Sequence, residues 1–360
     1  MTDDVYQRLA DVLDKIPNSF PQTEDGTHLK VLKWIFTPEE AELASNMRLR
    51  GETVEEMATR LDREPGNLVT ILETMAEKGQ IHAWNSSTGR RYCLIPYVIG
   101  IFEEQLGRMD SEFAKLSEDL FLKSKGGDLF GTKPELFQVL PVNRAIDTEL
   151  EVYPYEVAEQ IVENSKSWGV QDCICRTQQA LLDNTCKYPT SICLTFAPKK
   201  ENAFDDNRTI RAITKEESLQ HLREAEEAGL VHCTMNIQTG HTYICNCCTC
   251  CCSILRGVYE SGAPHAFVKS NFLAYVDEDL CTGCETCIER CQFDALSVPG
   301  DILEIDKNTC IGCGVCTTVC PEGALSLAPR SDKKHEPPEK FTDWMTQKAI
   351  SRGVDPSDLW

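Results

Sequence analysis

The sequence lacks several features that would place it in a familiar class of secreted, membrane or catalytic protein. No basic segment followed by an apolar core opens the chain, so we expect no secretory signal. The longest apolar run, residues 92–102, is too short to span a bilayer. A C-x-x-C-H haem site, a G-x-G-x-x-G loop, a P-loop and a catalytic-triad signature are all missing. These absences leave little support for haem attachment, nucleotide binding or triad-type catalysis.

Cysteine, in contrast, is abundant and unevenly distributed. The 360 residues include 20 cysteines, which cluster in runs. Without an export signal, this density favours metal ligation in a reducing cytoplasm over disulfide bonding. The formal net charge is −21. Such a charge disfavours non-specific binding of nucleic acid and favours docking on a basic partner surface.

Two four-cysteine runs near the C-terminal end share the spacing C-x2-C-x2-C-x3-C. The first is Cys281, Cys284, Cys287 and Cys291, and the second is Cys310, Cys313, Cys316 and Cys320, followed by Pro321. This spacing is typical of bacterial [4Fe–4S] ligation. Three closely spaced thiolates wrap one face of a cluster, and glycines between them let backbone N–H groups turn toward its sulfides. Zinc knuckles or a disulfide framework are the alternatives, but the duplicated register disfavours both.

Residues 271–328 therefore resemble a bacterial-type two-cluster ferredoxin domain. In such domains the fourth ligand of each cluster comes from the other motif. The resemblance implies that one cluster is held by Cys281, Cys284, Cys287 and Cys320, and the other by Cys310, Cys313, Cys316 and Cys291. This sequence has Gln292 where the first motif often has proline.

Ten further cysteines lie in the middle of the chain, at spacings that match neither a zinc finger nor a ferredoxin motif. They are Cys173, Cys175, Cys186, Cys193, Cys245, Cys247, Cys248, Cys250, Cys251 and Cys252. Six within eight residues cannot all face one cubane cluster, so we expect residues 173–252 to form one metal-binding domain with shared ligands. At least one further iron–sulfur cluster is the leading hypothesis, with structural zinc and a redox-active thiol or persulfide site as alternatives. Cys93 and Cys233 fall in predicted strands and are not predicted ligands.

The residues beside these cysteines add a second resemblance. Arg176 follows Cys175 directly and is a candidate for offsetting cluster charge. The sequence CICR, then ICNCCTCCC, then a two-cluster ferredoxin resembles multi-cluster 4Fe–4S binding proteins of anaerobic bacteria and archaea over residues 150–328. That resemblance implies anaerobic electron transfer but no defined reaction.

The N-terminal region has the pattern of a winged helix. A capping box at Thr53 and Glu56, helix signals at residues 65–79 and a hairpin pattern after them support this interpretation. Residues 1–100 carry 11 basic and 16 acidic side chains, which suits a packing or partner-docking module better than a DNA reader. Only Arg90 and Arg91, on the predicted wing, favour DNA.

An internal repeat extends this pattern into the middle of the chain. Residues 77–92 resemble residues 227–243, which predicts a second helix and hairpin over 213–245. His82 and His232 occupy matching positions and are predicted to be structural. Residues 154–170 are predicted as a helix leading into the cysteines.

The predicted fold class is α+β. Five segments are predicted. They are a winged-helix-like domain at 1–100, a helical connector at 101–165, a cysteine-rich metal-binding domain at 166–265, a two-cluster ferredoxin domain at 271–328 and a tail at 329–360.

The leading functional hypothesis is a cytoplasmic electron-transfer protein that serves a flavin- or metal-containing oxidoreductase. Its clusters would relay single electrons, so no catalytic residue is assigned. One alternative is an iron–sulfur redox regulator that binds DNA through the winged helix. Another is an enzyme whose substrate binds an open iron at the unusual cysteines.

Overall fold

The computed structural model describes residues 2–142, 145–146, 153–263, 265–331 and 334–356. The chain divides into two compact units. The first comprises Met1–Lys133, Leu181–Asp183 and Met345–Trp360, and the second comprises Pro134–Ala180 and Asn184–Trp344. Helices and sheets are mixed along the chain, in agreement with the predicted α+β class. Some of the predicted connector and tail, including Trp360, lies outside the described residues.

The first unit is mainly helical and carries one hairpin. Its helices are α1 Thr2–Lys15, α2 Thr27–Ile35, α3 Pro38–Ala44, α4 Val54–Leu61, α5 Pro65–Glu77, α6 Phe102–Glu104, α7 Ser111–Ser124 and α8 Gly127–Gly131. Strands β1 His82–Ser86 and β2 Gly89–Cys93 pair antiparallel. The predicted capping box at α4 is present, with Thr53 and Glu56 bonding each other's backbone N–H groups. Gly79, at φ 67°, follows the end of α5 as predicted.

The two arginines of the hairpin are paired with acidic side chains. Arg90 donates to both carboxylate oxygens of Glu73, at 2.8 and 3.0 Å, and Glu73 lies on α5. Arg91 lies 3.2 Å from Glu56. The Arg90 hydrogen bond lowers the pKa of Glu73, so this carboxylate stays charged at neutral pH. The basic features that favoured DNA binding are therefore neutralised within the unit itself.

The second unit is built on a seven-stranded sheet in the order β6-β4-β5-β8-β7-β3-β9. Its strands are β3 Phe137–Leu140, β4 Ser167–Asp172, β5 Ser191–Ala197, β6 Arg211–Ile213, β7 Val231–Met235, β8 Tyr243–Cys247 and β9 Phe267–Val268. Neighbouring strands are antiparallel except β3 and β9, which are parallel. The accompanying helices are α9 Ala158–Glu163, α10 Ile174–Leu181, α11 Lys215–Ala228 and α12 Ser253–Ser261. Val162, Leu194, Leu222 and Ile244 lie in the apolar core between sheet and helices.

The predicted second helix and hairpin correspond to α11, β7 and β8. Thr214 and Glu217 form the capping box of α11, and Gly229 ends it at φ 90°. The predicted helix over 154–170 is only partly correct. Helix α9 ends at Glu163, and the following residues form strand β4, which hydrogen-bonds to β5 and β6. Strand β3, within the predicted helical connector, was not foreseen.

The C-terminal part of the second unit contains two small antiparallel sheets. Strand β10 Phe272–Val276 pairs with β13 Leu325–Pro329, and β11 Leu296–Ser297 pairs with β12 Glu304–Ile305. Helix α13 Thr286–Arg290 and a 3-10 turn at Val315–Val319 complete this region. Helix α14, Phe341–Ser351, follows, and the buried Trp344 donates to the carbonyl of Glu135 at 2.9 Å. Within the described residues, no helix has the length and apolar character needed to cross a bilayer.

We predict that the full-length protein has no appreciable affinity for duplex DNA at physiological salt, because Arg90 and Arg91 are paired and the chain is strongly acidic. Fluorescence anisotropy with a labelled duplex, repeated over a salt series, measures this directly. A Glu73→Gln variant, which frees Arg90, serves as the comparison. Tight binding by the wild-type protein that weakens steeply with salt would contradict the prediction.

Candidate metal centres

Two cavities in the ferredoxin region are each lined by four cysteines. One is lined by Cys281, Cys284, Cys287 and Cys320. The other is lined by Cys291, Cys310, Cys313 and Cys316. Each cavity therefore takes three cysteines from one motif and its fourth from the other. This is the grouping that the crossed-ligation prediction requires, although ligation itself stays a prediction.

Backbone geometry explains why glycines stand between these cysteines. Gly283 has φ 62°, and a Cβ there would lie 2.5 Å from the carbonyl oxygen of Asp301. Gly312 has φ 71°, and a Cβ there would lie 2.0 Å from the carbonyl oxygen of Phe272. A side chain at either position would meet both steric and conformational strain. Glycine thus lets each loop close tightly around its cavity.

The two cavities differ in their exposure to solvent. Cys284 is exposed, and Leu280, just before Cys281, is 50% exposed. Cys310 and Cys316 are buried, and Gly229 and Val231 of the sheet's helix–hairpin segment form part of the second cavity's wall. Cys284 of the first cavity is thus the one exposed thiol among the eight ferredoxin cysteines.

The ten cysteines of the middle region separate into two groups, each drawing on both parts of the sequence. Six form a ring of polar thiol contacts, which we call the six-cysteine ring; in ring order they are Cys173, Cys175, Cys252, Cys247, Cys245 and Cys193. The other four form the four-cysteine group: Cys186, Cys248, Cys250 and Cys251. None of the 20 cysteines is in a disulfide.

Strand alternation explains this separation. Successive side chains of a strand point to opposite faces, so Cys245 and Cys247 of β8 share one face while Asn246 points to the other. Asn246 is held there by His232, whose Nδ1 lies 2.6 Å from its Oδ1, and it donates to the carbonyl of Ile192 at 2.6 Å. Beyond the end of β8 the chain turns, and Cys252 returns to the six-cysteine ring while three intervening cysteines join Cys186.

The four-cysteine group is compact. Its four Sγ atoms all lie within 4.8 Å of one another. Cys186 Sγ is 3.8 Å from Cys248 Sγ and 3.5 Å from Cys250 Sγ, and the Sγ atoms of Cys250 and Cys251 are 3.7 Å apart. Contact with Cys251 lowers the pKa of Cys248 to about 5, and the charge of Arg176 contributes in the same direction. A thiolate is thus already favoured here.

Arg176 is buried and lies near cysteines of both groups. Its guanidinium donates to the carbonyl oxygens of Pro189 at 2.9 Å and Asn246 at 2.7 Å, while its Nε is buried without a hydrogen-bond partner. Burial alone would lower the pKa of Arg176, but negative charge on Cys173, Cys248 and other thiols outweighs it and raises the pKa. The surroundings of Arg176 suit the predicted role of offsetting the charge of nearby thiolates.

Gln292 connects the ferredoxin region to the four-cysteine group. Its Oε1 accepts a hydrogen bond from the backbone N–H of Thr249 at 2.9 Å, and its Nε2 donates to the carbonyl of Gly229 at 2.5 Å. Thr249 lies between Cys248 and Cys250, and Gln292 follows Cys291. Proline has no side-chain amide and would make neither bond. The sequence flagged Gln292 only as a departure from the ferredoxin pattern, and its role as a link was missed.

The remaining residues singled out in the sequence have structural surroundings. Cys93 is buried at the end of β2, and burial raises the pKa of its thiol to about 11. Cys233 lies on β7 directly opposite Cys245, and its thiol contacts Cys247. His232 bonds Asn246, and His82 stacks on Trp84 with ring centroids 5.3 Å apart. Cys233 is therefore a neighbour of the six-cysteine ring that sequence reasoning had set aside.

Comparison with known proteins supports one part of the chain. Residues 274–327 match the profile of a family described as a 4Fe-4S dicluster domain. Neither the curated proteins nor the solved structures include a match. The chain thus contains an iron–sulfur domain toward its C-terminal end, which supports iron–sulfur electron transfer at a coarse level.

We predict that Gln292→Ala accelerates hydrogen exchange at the Thr249 amide by about tenfold, because losing this partly buried hydrogen bond costs about 1–1.5 kcal/mol. Iron and labile-sulfide content should stay at the wild-type level, since Gln292 is not a predicted ligand. Hydrogen–deuterium exchange with mass spectrometry measures the effect, and Glu289→Ala, at an exposed neighbour, is the control. Unchanged exchange at Thr249 would show that the link contributes nothing.

Proposed function

We propose that this protein is a cytoplasmic iron–sulfur electron-transfer protein that passes single electrons between several centres and a partner oxidoreductase. The observation that carries this proposal is the pair of four-cysteine cavities in a region matching a 4Fe-4S dicluster domain, with two more cysteine groups in the same unit. A partner containing flavin or metal would exchange electrons with it. When bound, such clusters supply reversible one-electron chemistry.

The ferredoxin cysteines fit two [4Fe–4S] clusters. We assign one cluster to Cys281, Cys284, Cys287 and Cys320, and the other to Cys310, Cys313, Cys316 and Cys291. Four thiols meet around each cavity, which is the donor set that such a cluster requires. Leu303 and Leu325 line the first cavity, and Ile311 and Val315 the second, so apolar side chains would limit water at both.

The six-cysteine ring is the proposed site of a further iron–sulfur cluster. Cys173, Cys193, Cys247 and Cys252 are buried, and each member of the ring contacts the thiols of its two ring neighbours. A wholly sulfur donor set favours soft metals and iron–sulfur clusters. One cubane cluster uses four thiolates. Either two of the six thiols would bind no iron, or the ring would hold a cluster of an atypical kind. Arg176 would stabilise the negative charge of the site from one side.

The surface near Cys284 has the character of a docking site for a basic redox partner. Leu280 and Ile302 are exposed by 50% and 37%, and the exposed carboxylates Glu278, Asp279 and Asp301 are close to them in the sequence. Residues 271–328 carry ten acidic and two basic side chains. Exposed apolar and acidic side chains suit transient association with a basic partner, with the carboxylates steering the encounter.

The rest of the chain would support this relay. We interpret α3, α4, α5 and the β1–β2 hairpin as a winged-helix-like module that packs or docks a partner. Residues 101–165 would connect it to a metal-binding domain at 166–265, followed by the ferredoxin domain at 271–328 and a tail at 329–360. The pairing of Arg90 and Arg91 with carboxylates favours this role over DNA binding.

We predict that crossed ligation will be visible in a variant that keeps only one ferredoxin cluster. In a Cys281→Ser, Cys284→Ser, Cys287→Ser background, adding Cys320→Ser should remove no further iron. Adding Cys291→Ser instead should remove or convert the remaining cluster. Anaerobic iron and sulfide analysis with EPR of the reduced protein distinguishes the two. The opposite result, in which Cys320→Ser destroys the remaining cluster, would mean that each motif closes on its own cluster.

We also predict that Glu278→Lys, Asp279→Lys slows electron transfer to cytochrome c, used as a basic acceptor, by about tenfold at low ionic strength. The salt dependence of the rate should shrink as well, because two steering charges are reversed. Asp205→Lys, Asp206→Lys changes the net charge equally at an exposed site elsewhere and is the matched control. Stopped-flow absorbance measures the electron-transfer rate of each variant. Equal slowing by the two variants would show that the partner does not dock on the surface near Cys284.

A further inference from the structure

We propose that the four-cysteine group binds one divalent metal ion, zinc or iron, as a mononuclear tetrathiolate site distinct from the iron–sulfur clusters. The spacing of the sulfurs carries this proposal. A tetrahedral site with metal–sulfur distances of about 2.3 Å has sulfur–sulfur edges of about 3.8 Å. Three of the six Sγ–Sγ distances are 3.8, 3.5 and 3.7 Å, and all six are within 4.8 Å. The four sulfurs are therefore close enough together to bind one ion.

A cubane cluster requires a wider arrangement. Each of its four thiolates binds a different iron, so the sulfurs stand farther apart than around one ion. The ferredoxin cysteines provide the internal comparison. Among the described residues, which include all 20 cysteines, only the four-cysteine group brings three or more such ligand atoms within 4.8 Å of one another. The sulfur atoms of the four-cysteine group therefore lie closer together than those around either ferredoxin cavity.

The surroundings of the group fit a closed metal site. Cys248 and Cys251 are buried against Ile192, Ala225 and Leu230, and only Cys250 is exposed. Four thiolates and a divalent ion leave two negative charges. The buried guanidinium of Arg176 lies close enough to influence Cys248, and its Nε has no hydrogen-bond partner. An all-sulfur tetrahedral set with no spare ligand position is typical of structural zinc and of single thiolate-bound iron.

The site would fix the loop that meets the ferredoxin region. Cys186 comes from the segment between α10 and β5, while the other three ligands follow β8. One ion would join these segments and hold Thr249, whose backbone N–H bonds Gln292 beside Cys291. The proposed ion therefore stabilises a contact next to one ferredoxin cavity. It is independent of the proposed electron-transfer role, since the ligands of both ferredoxin cavities are different residues.

The test uses the full-length protein, purified anaerobically, with zinc, iron and labile sulfide counted per chain. The Cys250→Ser protein should contain about one metal ion fewer per chain and an unchanged amount of sulfide. The metal whose content decreases, zinc or iron, is the ion bound at this site. Cys93→Ser, at a buried cysteine outside all the proposed metal sites, is the matched control and should keep that ion. Loss of several irons together with sulfide from Cys250→Ser, with intact ferredoxin EPR signals, would overturn the proposal.

X-ray absorption of the wild-type protein gives a second measurement that does not depend on a variant folding. If the ion is zinc, the zinc edge should show a single shell of four sulfurs at about 2.3 Å and no neighbouring metal. If it is iron, Mössbauer spectra should contain a mononuclear tetrathiolate component beside the clusters. The absence of both signatures from a protein with intact ferredoxin clusters would reject the mononuclear site and leave the electron-transfer proposal standing.

Discussion

The alternation of strand β8 is the constraint on which the arrangement of cysteines depends. Cys245 and Cys247 face one side because Asn246 is fixed on the other by His232 and the carbonyl of Ile192. The turn after β8 then presents Cys248, Cys250 and Cys251 to a different site before Cys252 returns. Six cysteines within eight residues thus fall into two groups, because the backbone conformation, and not the cysteine spacing alone, determines where each thiol points.

Charge is the second constraint, because closely spaced thiolates repel one another and need compensation. Arg176, although buried, donates to two carbonyls and keeps an unpartnered Nε near cysteines of both middle-region groups. Arg290 lines the second ferredoxin cavity and also has a buried Nε without a partner. Buried cations are costly unless negative charge lies nearby. Their placement favours sulfur sites that carry net negative charge when loaded with metal.

The sequence predicted the ferredoxin region well, because its ligand spacing is short, local and duplicated. The helix starts after Thr53 and Thr214 and the helix end before Gly79 were also predictable, since capping depends on residues close in sequence. Strand β4 was not, because Ser167–Asp172 contains a glycine and few apolar residues, and it is a strand through its pairing with β5 and β6. The division of the ten middle cysteines depends likewise on pairing between distant strands. Gln292 was identified only as an exception, since its partners Thr249 and Gly229 are far away in the sequence.

We propose that this chain binds iron–sulfur clusters in the middle region as well as in the ferredoxin region. Anaerobic determination of iron and labile sulfide per chain, on protein of known concentration, tests it most directly. Two [4Fe–4S] clusters account for eight irons and eight sulfides. We expect that sulfide clearly exceeds eight per chain, because the six-cysteine ring is proposed to hold a further cluster. A fully loaded protein with eight sulfides and no more would contradict it.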